Sequence, residues 1–217
     1  MTATYGDDAL GRRLERLLEP GDLAERVVER RLVAQAAYME WRREEIERLD
    51  GSRHVRFVVG HPGAVAILAI DAPNEASITR ASELLMVRQF RTPVDRLLLE
   101  VPAGKRDREG GAAEVAAVAA ARELEEETGL LAASWRHLAG FYTAPGFTDE
   151  RMELFLAFDL RPAGPGRRGP DAGERLEPVR LSIADGLEAA RRGAVVDAKS
   201  LLAIEAAVRL ADRPGGR

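Results

Sequence analysis

Three glutamates near the middle of the chain, Glu123, Glu126 and Glu127, are spaced so that their carboxylates can act together. On a helix Glu123 and Glu127 stand at i,i+4 and Glu123 and Glu126 at i,i+3, so all three share one face. Like charges at these spacings destabilise a helix by roughly 0.2–0.5 kcal/mol per pair, and a cation held between them turns that repulsion into ligation. Oxygen-only ligands select hard ions, Mg²⁺ or in its place Mn²⁺, and Mg²⁺ uses one or two carboxylates together with substrate phosphate oxygens. The opposite face is small and apolar (Ala113, Ala117, Ala120, Ala121, Leu124), which allows close packing on a sheet and a rigid backing for the acids. The same run also reads as a solvated acidic face with Arg122 paired to Glu126, and the bare carboxylates do not choose between the two.

The elements around this run follow from propensity and periodicity. Residues 112–128 form a strong helix, with Gly129 at its C-cap position. Before it, residues 97–104 (LLLEVPAG) read as one short strand stopped by Pro102 and Gly104, and residues 63–71 and 83–90 as buried strands rich in branched apolar side chains. Residues 24–49 carry helix-favouring Ala, Glu and Arg, yet Asp50-Gly51 is a hairpin signal followed by the alternating HVRFVV. Strands over about 26–33 and 38–48, with a third at 54–60, are therefore expected. Residues 7–19 have helical apolar spacing ending at Pro20-Gly21. Beyond the helix, two strands flank the turn Ala144-Pro145-Gly146, a Gly/Pro/Arg segment over 161–173 reads as a mobile loop, and RLEPVRLS is a strand. Helices near 182–192 and 198–212 close the chain. Strands and helices mix without strict βαβ alternation, so the fold class is α+β, with a mixed sheet between helices.

Composition excludes several chemistries. The absence of cysteine removes disulfides, thiolate metal sites and Cys nucleophiles. A net charge of −4 removes the electrostatic footprint of a general nucleic-acid binder. Neither an apolar signal core near the N-terminus nor a run of roughly 18 apolar residues is present, so a cytoplasmic location without membrane contact is expected. Only Lys105 and Lys199 are lysines, so nearly all positive charge is guanidinium and a single arginine is a weak clue. His54, His61 and His137 lack ligand spacing, and Trp41 and Trp135 read as packing or interface residues.

The extended pattern resembles the Nudix box, in which a Gly is followed by Glu and then Arg-Glu-apolar-x-Glu-Glu-x-Gly-apolar. Glu114, Arg122, Glu123, Leu124, Glu126, Glu127, Gly129 and Leu130 match it, with the Glu-to-Arg spacing intact. One departure stands out. The leading Gly of the box would fall at position 108, where this chain has Arg108; Gly104 is its equivalent, in a loop four residues longer that Gly110 and Gly111 make easy to form. Flanking blocks (HPGAVAILAI, LLMVRQFRTPVDRLLLEVPAG, FYTAPGFTDERMELFLA and ARRGAVVDAKSLLAI) resemble, in the same order, the ADP-ribose pyrophosphatase-like branch over roughly residues 24–210.

That resemblance implies a Mg²⁺-dependent pyrophosphohydrolase acting on a nucleoside diphosphate sugar, with ADP-ribose cut to AMP and ribose 5-phosphate. Another nucleotide sugar, a dinucleotide, or nucleotide sensing without turnover are the competing readings. It implies metal ligands at Glu123, Glu127, Glu126 and the Ala103 carbonyl, with Glu114 as a supporting acid and Arg122 holding the helix carboxylates in register. The general base is expected in the DAGERLEP segment at Glu174, with Asp171 and Glu177 as alternatives. Arg91 and Arg56 are candidate substrate contacts, Glu150 a cleft residue, and Lys105 a phosphate contact beside the metal loop. Arg167 and Arg168 read as loop residues. The resemblance also divides the chain into an N-terminal extension (1–22), strands of a dimerisation sheet (23–60) and a Nudix hydrolase domain (61–212), and implies a homodimer.

Overall fold

The computed structural model describes residues 5–109, 112–170 and 173–213, in two units, Met1–Gly60 and His61–Arg217. The first unit opens with helix α1 (Ala9–Leu18), whose N-terminus is capped by the Asp8 carboxylate accepting from the Gly11 N–H at 2.6 Å. Three antiparallel strands follow: β1 (Glu25–Ala36), β2 (Met39–Arg48) and β3 (Arg53–Gly60). Helix-favouring residues are strands here because both connections are tight turns and the charges pair across the ladder. Arg30 meets Glu44 at 2.7 Å, Arg53 meets Glu45 and Glu47 at 3.2 Å each, and Arg56 meets Glu25 at 2.7 Å. Gly51 turns the second connection at φ +79°, as the Asp-Gly pair requires. The first turn falls at residues 37–38, so β1 runs three residues beyond its expected end. On β3, Val55 and Phe57 alternate on one face and stay exposed, with exposed Trp41 of β2 on that same face.

The second unit is built on a mixed sheet. Its strands are β4 (Ala64–Asp71), β5 (Glu83–Arg91), β6 (Arg96–Glu100), β7 (Ala103–Lys105), a separate two-residue ladder β8 (Arg108–Glu109) with β9 (Ala112–Ala113), then β10 (Leu130–Tyr142), β11 (Arg151–Pro162) and β12 (Leu176–Ser182). The main order is β10-β11-β4-β5-β12, with β6 on β5 and β7 on β4; β11 and β4 run parallel and the other pairs antiparallel. Strand β4 shows how the layers form. Its even residues Ala66, Leu68 and Ile70 pack with Ile183, Ala203, Ile204 and Ala207 from helices α3 (Ile183–Arg191) and α4 (Ala198–Ala211). Its odd residues Val65, Ile67 and Ala69 pack with Ala119, Ala120 and Leu124 of helix α2 (Ala116–Thr128). Period-2 alternation on a strand buried on both faces thus puts the sheet between helices, in the α+β class expected. Among the described residues no helix is long and apolar enough to cross a membrane.

Two expectations need correction. The helix begins at Ala116 rather than 112, because Ala112 and Ala113 pair with Glu109 and Arg108. Residues 97–104 are two strands rather than one: β6 pairs with β5, Pro102 breaks the run, and β7 crosses to β4. In the segment expected as a loop over 161–173, two backbone amides bond to the end of α2. The Arg168 N–H donates to Glu125 at 3.1 Å, and the Ala163 N–H to the Gly129 carbonyl at 3.0 Å.

Candidate active site

The acidic face of α2 meets the β6–β7 break. Ala119, Ala120 and Leu124 anchor the helix on the sheet, which turns Glu123 and Glu127 inward, where they are 6% and 5% exposed. Glu127 accepts from the Ala103 N–H at 3.0 Å. Because the Ile67 N–H is spent on the Pro102 carbonyl, ladder alternation turns both the N–H and the C=O of Ala103 away from β4, towards this acid. Gly104 lies directly under Glu123: a Cβ there would come within 2.0 Å of the Glu123 carboxyl carbon. Only glycine admits that approach, which is the physical reason for the residue at the shifted start of the box.

Arg122 organises the remaining acids. Its Nη1 donates to Glu123 and Glu126, each at 2.8 Å, and its Nη2 to Glu114 at 2.9 Å and to the Lys105 carbonyl at 3.0 Å. Glu114 is also held by the Asp107 N–H at 3.2 Å and stays ionised, its pKa lowered chiefly by the Arg122 hydrogen bond. Of the solvated-face reading only the Arg122–Glu126 ion pair holds; the face itself is not solvated, because Glu123 and Glu127 are buried.

The electrostatics separate Glu123 and Glu127 from the other acids. Burial raises Glu127 to about 8, with the charges of Glu123 and Glu174 adding to the rise and the Ala103 N–H opposing it. Burial likewise raises Glu123 to about 7 despite Arg122, with Glu126 and Glu174 contributing. Among the described residues no three acidic or imidazole side chains form a closed cation cage. Two buried, undercompensated carboxylates beside a backbone carbonyl still fit Mg²⁺, which takes few protein ligands and completes its shell with water and phosphate oxygens. Glu123, Glu127, Glu126 and the Ala103 carbonyl are the groups that would hold it.

The other expected site residues divide. Glu174 is close enough for its charge to be felt by both Glu123 and Glu127. Glu177 instead pairs with Arg88 at 2.8 Å, and Asp171, with the loop glycines Gly110 and Gly111, lies outside the described residues. Arg91 is held by Glu100 through Nε and Nη2, each at 2.8 Å. Glu150 accepts from Thr143 Oγ1 at 2.5 Å and stands 3.5 Å from His61, whose burial lowers its pKa against the nearby acids. Arg56 belongs to the first unit, paired with Glu25. Arg167 lies against Gly129, where a Cβ would come within 2.1 Å of its Nη1. Sequence reasoning passed over Glu100 and Lys199, which are buried against each other; an acid inside an otherwise apolar strand was the available signal.

This geometry of an acidic helix face over a Gly-containing strand break agrees with the comparison of the whole chain with known families. The NUDIX domain profile matches residues 60–201. The chain belongs to the Nudix family. Among curated Nudix relatives it is 38% identical over 162 residues to an ADP-ribose pyrophosphatase of Bacillus subtilis (strain 168), covering 75% of this chain and 80% of that one. It is also 38% identical over 151 residues to an ADP-ribose pyrophosphatase of Mycobacterium tuberculosis, covering 70% and 66%. A solved structure described as an ADP compounds hydrolase superposes with a TM-score of 0.68 at 22% identity, over 85% of this chain and 92% of that one, and so shares the Nudix fold. The chain is thus a Nudix hydrolase similar to the ADP-ribose pyrophosphatases.

Proposed function

We propose that this Nudix hydrolase cuts the pyrophosphate bond of a nucleoside diphosphate sugar in a Mg²⁺-dependent reaction, with ADP-ribose as substrate and AMP and ribose 5-phosphate as products. The observation that carries the reading is the buried pair Glu123 and Glu127 on the acidic face of α2, set against the Ala103 backbone at the strand break and over Gly104. The 38% identical relatives named for ADP-ribose support the substrate.

Bound at these acids, Mg²⁺ supplies charge neutralisation for the diphosphate and lowers the pKa of water. The residues do the rest. Arg122 fixes Glu123 and Glu126 against their mutual repulsion, and Glu127 is aligned by the Ala103 N–H. Glu174 accepts the proton of the attacking water as the new P–O bond forms on one phosphorus; the bridging P–O bond breaks and its electron pair leaves with the other phosphate. Arg91 binds a phosphate oxygen with the guanidinium edge that Glu100 does not use.

The test is product analysis with Mg²⁺ over ADP-ribose, GDP-mannose and NADH, beside Glu127→Gln. Preference for ADP-ribose, lost in the variant, is expected. Turnover of another compound only would overturn the substrate, and Mg²⁺-dependent binding without turnover of any would replace hydrolysis by sensing. We further infer a homodimer through the exposed apolar face of the β1–β3 sheet, where Trp41 and Phe57 are 53% and 56% exposed. Light scattering at micromolar concentration is expected to give twice the chain mass, and Phe57→Ser to halve it; a monomeric parent chain would remove the inference.

A further inference from the structure

The segment from Glu100 to Gly104 is fastened residue by residue. Glu100 receives Arg91 and Lys199; the Val101 N–H donates to Ser200 Oγ at 2.8 Å; the Pro102 carbonyl accepts from Ile67 at 2.8 Å; the Ala103 N–H holds Glu127; and Gly104 lies under Glu123. The Lys199 and Ser200 ties come from the N-terminus of α4, some hundred residues later in the chain, and the Arg91 tie from β5. There Asp197 caps the helix, accepting from the Ser200 N–H at 3.1 Å and from Ser200 Oγ at 2.6 Å, and holds Lys199 Nζ at 2.9 Å. Asp197, Lys199, Glu100 and Arg91 thus form a row of alternating charge, in which the Glu100 carboxylate between the two cations is 1% exposed.

A row of this kind does more than tie α4 to the sheet, because its outer end is a half-used guanidinium. Glu100 takes Nε and Nη2 of Arg91 in a bidentate grip, which fixes the plane of the fork and leaves Nη1 without a hydrogen-bond partner among the described residues. Glu100 lies three residues before Ala103, and Val87, its register partner on β5, alternates with Gln89 and Arg91 on one face. Arg91 and Glu127 each feel the other's charge. Lys199 matters because a single acid gripping a single arginine could swing with it; with Lys199 on Oε2, the carboxylate has one orientation.

We propose that Glu100, oriented by Lys199 from the start of α4, is the positioning residue for Arg91 and sets the direction in which its Nη1 meets the diphosphate. Neither Glu100 nor Lys199 touches the reacting atoms; both act through Arg91. The inference rests on the reading that Arg91 binds the diphosphate, and its test separates the two.

The variants are Glu100→Gln, Arg91→Ala and the double variant, each checked for folding by thermal denaturation. Two quantities are measured: KM and kcat for ADP-ribose, and the affinity for inorganic pyrophosphate with Mg²⁺, which carries the diphosphate without the nucleoside. Glu100→Gln is expected to weaken both KM and pyrophosphate affinity by about tenfold with a smaller change in kcat, the scale of one charged hydrogen bond. The double variant should be no worse than Arg91→Ala alone. If Glu100→Gln does not fold, Lys199→Gln loosens the same carboxylate from the other side and should raise KM severalfold, with recovery in Lys199→Arg. Folded Glu100 or Lys199 variants with unchanged pyrophosphate affinity, or losses that multiply in the double variant, would overturn the proposal. An Arg91→Ala protein that binds pyrophosphate normally would sink the reading of Arg91 itself. If the parent chain binds pyrophosphate but does not turn over ADP-ribose, only the substrate fails.

Discussion

Glu100 and Glu127 are the same residue type, both almost without solvent exposure, and their acidities are pushed in opposite directions. Burial raises both. At Glu100 the Arg91 fork and Lys199 more than reverse it and the pKa falls to about 2; at Glu127 a single N–H does not, and it climbs to about 8. The difference lies in the partners, not the depth. A buried acid with full counter-charge is a fastening, whereas a buried acid left short of counter-charge is a place for a cation to bind.

The comparison is broken or sharpened by substituting each acid. Glu127→Gln should lower kcat/KM by about 10³-fold, the scale of lost metal-assisted charge stabilisation. The metal-free protein should nonetheless be no less stable at alkaline pH, because an uncompensated charge has gone. Glu100→Gln should do the reverse in stability, costing about 1–3 kcal/mol because half-exposed Arg91 loses its charged partner and buried Lys199 keeps only Asp197. Equal losses of stability in the two variants, measured by denaturant titration, would erase the distinction. Glu174→Gln, which removes the expected base, should lower kcat by about 10²-fold while KM changes little. Since the Glu174 charge also raises Glu123 and Glu127, the same variant should move their titration to lower pH, visible in the pH profile of Mg²⁺ binding.

A further effect is on stability against pH. Glu123 and Glu127 have folded pKa values above the ordinary 4.5, so the folded state binds their protons more tightly and metal-free stability falls as pH rises from 4.5 through 7 and 8. Glu100, held below 4.5, contributes stability above that value which is lost as pH falls towards 2. With a chelator, Tm should therefore drop between about pH 5.5 and about pH 8.5, and Mg²⁺ should recover it chiefly at the upper end. A chelated protein with a flat Tm over that interval would mean that Glu123 and Glu127 are not the strained pair described.

What the sequence made legible was local. Helical spacing put Glu123, Glu126 and Glu127 on one face, Gly129 ended the helix, and the family pattern named Gly104 despite the longer loop. What escaped was set by distance along the chain or by a choice between neighbouring strands. Pro102 looks like a strand end from sequence, but whether the chain stops or crosses from β5 to β4 depends on which edge is free. The reason for Gly104 is the Glu123 carboxylate above it, nineteen residues later (123 − 104). The partners of Arg91 and Glu100 meet across a hairpin, and Lys199 arrives from a helix with no sequence link to either. Helix propensity led the reading of residues 112–115 astray, because the short ladder of Ala112 and Ala113 with Glu109 and Arg108 outweighs it.

The bond from Ser200 to the Val101 amide also makes the strand break depend on a helix some hundred residues later in the chain. The Glu100–Gly104 segment gains its Lys199 and Ser200 ties only when α4 is in place. Such non-local closure is slow relative to helix and hairpin formation, so a chain emerging from the ribosome would acquire its acidic helix well before a binding-competent strand break. In the finished protein the coupling runs the other way: fraying at the start of α4 releases the Val101 amide, and exchange of that amide with solvent would report on how firmly α4 holds the strand break.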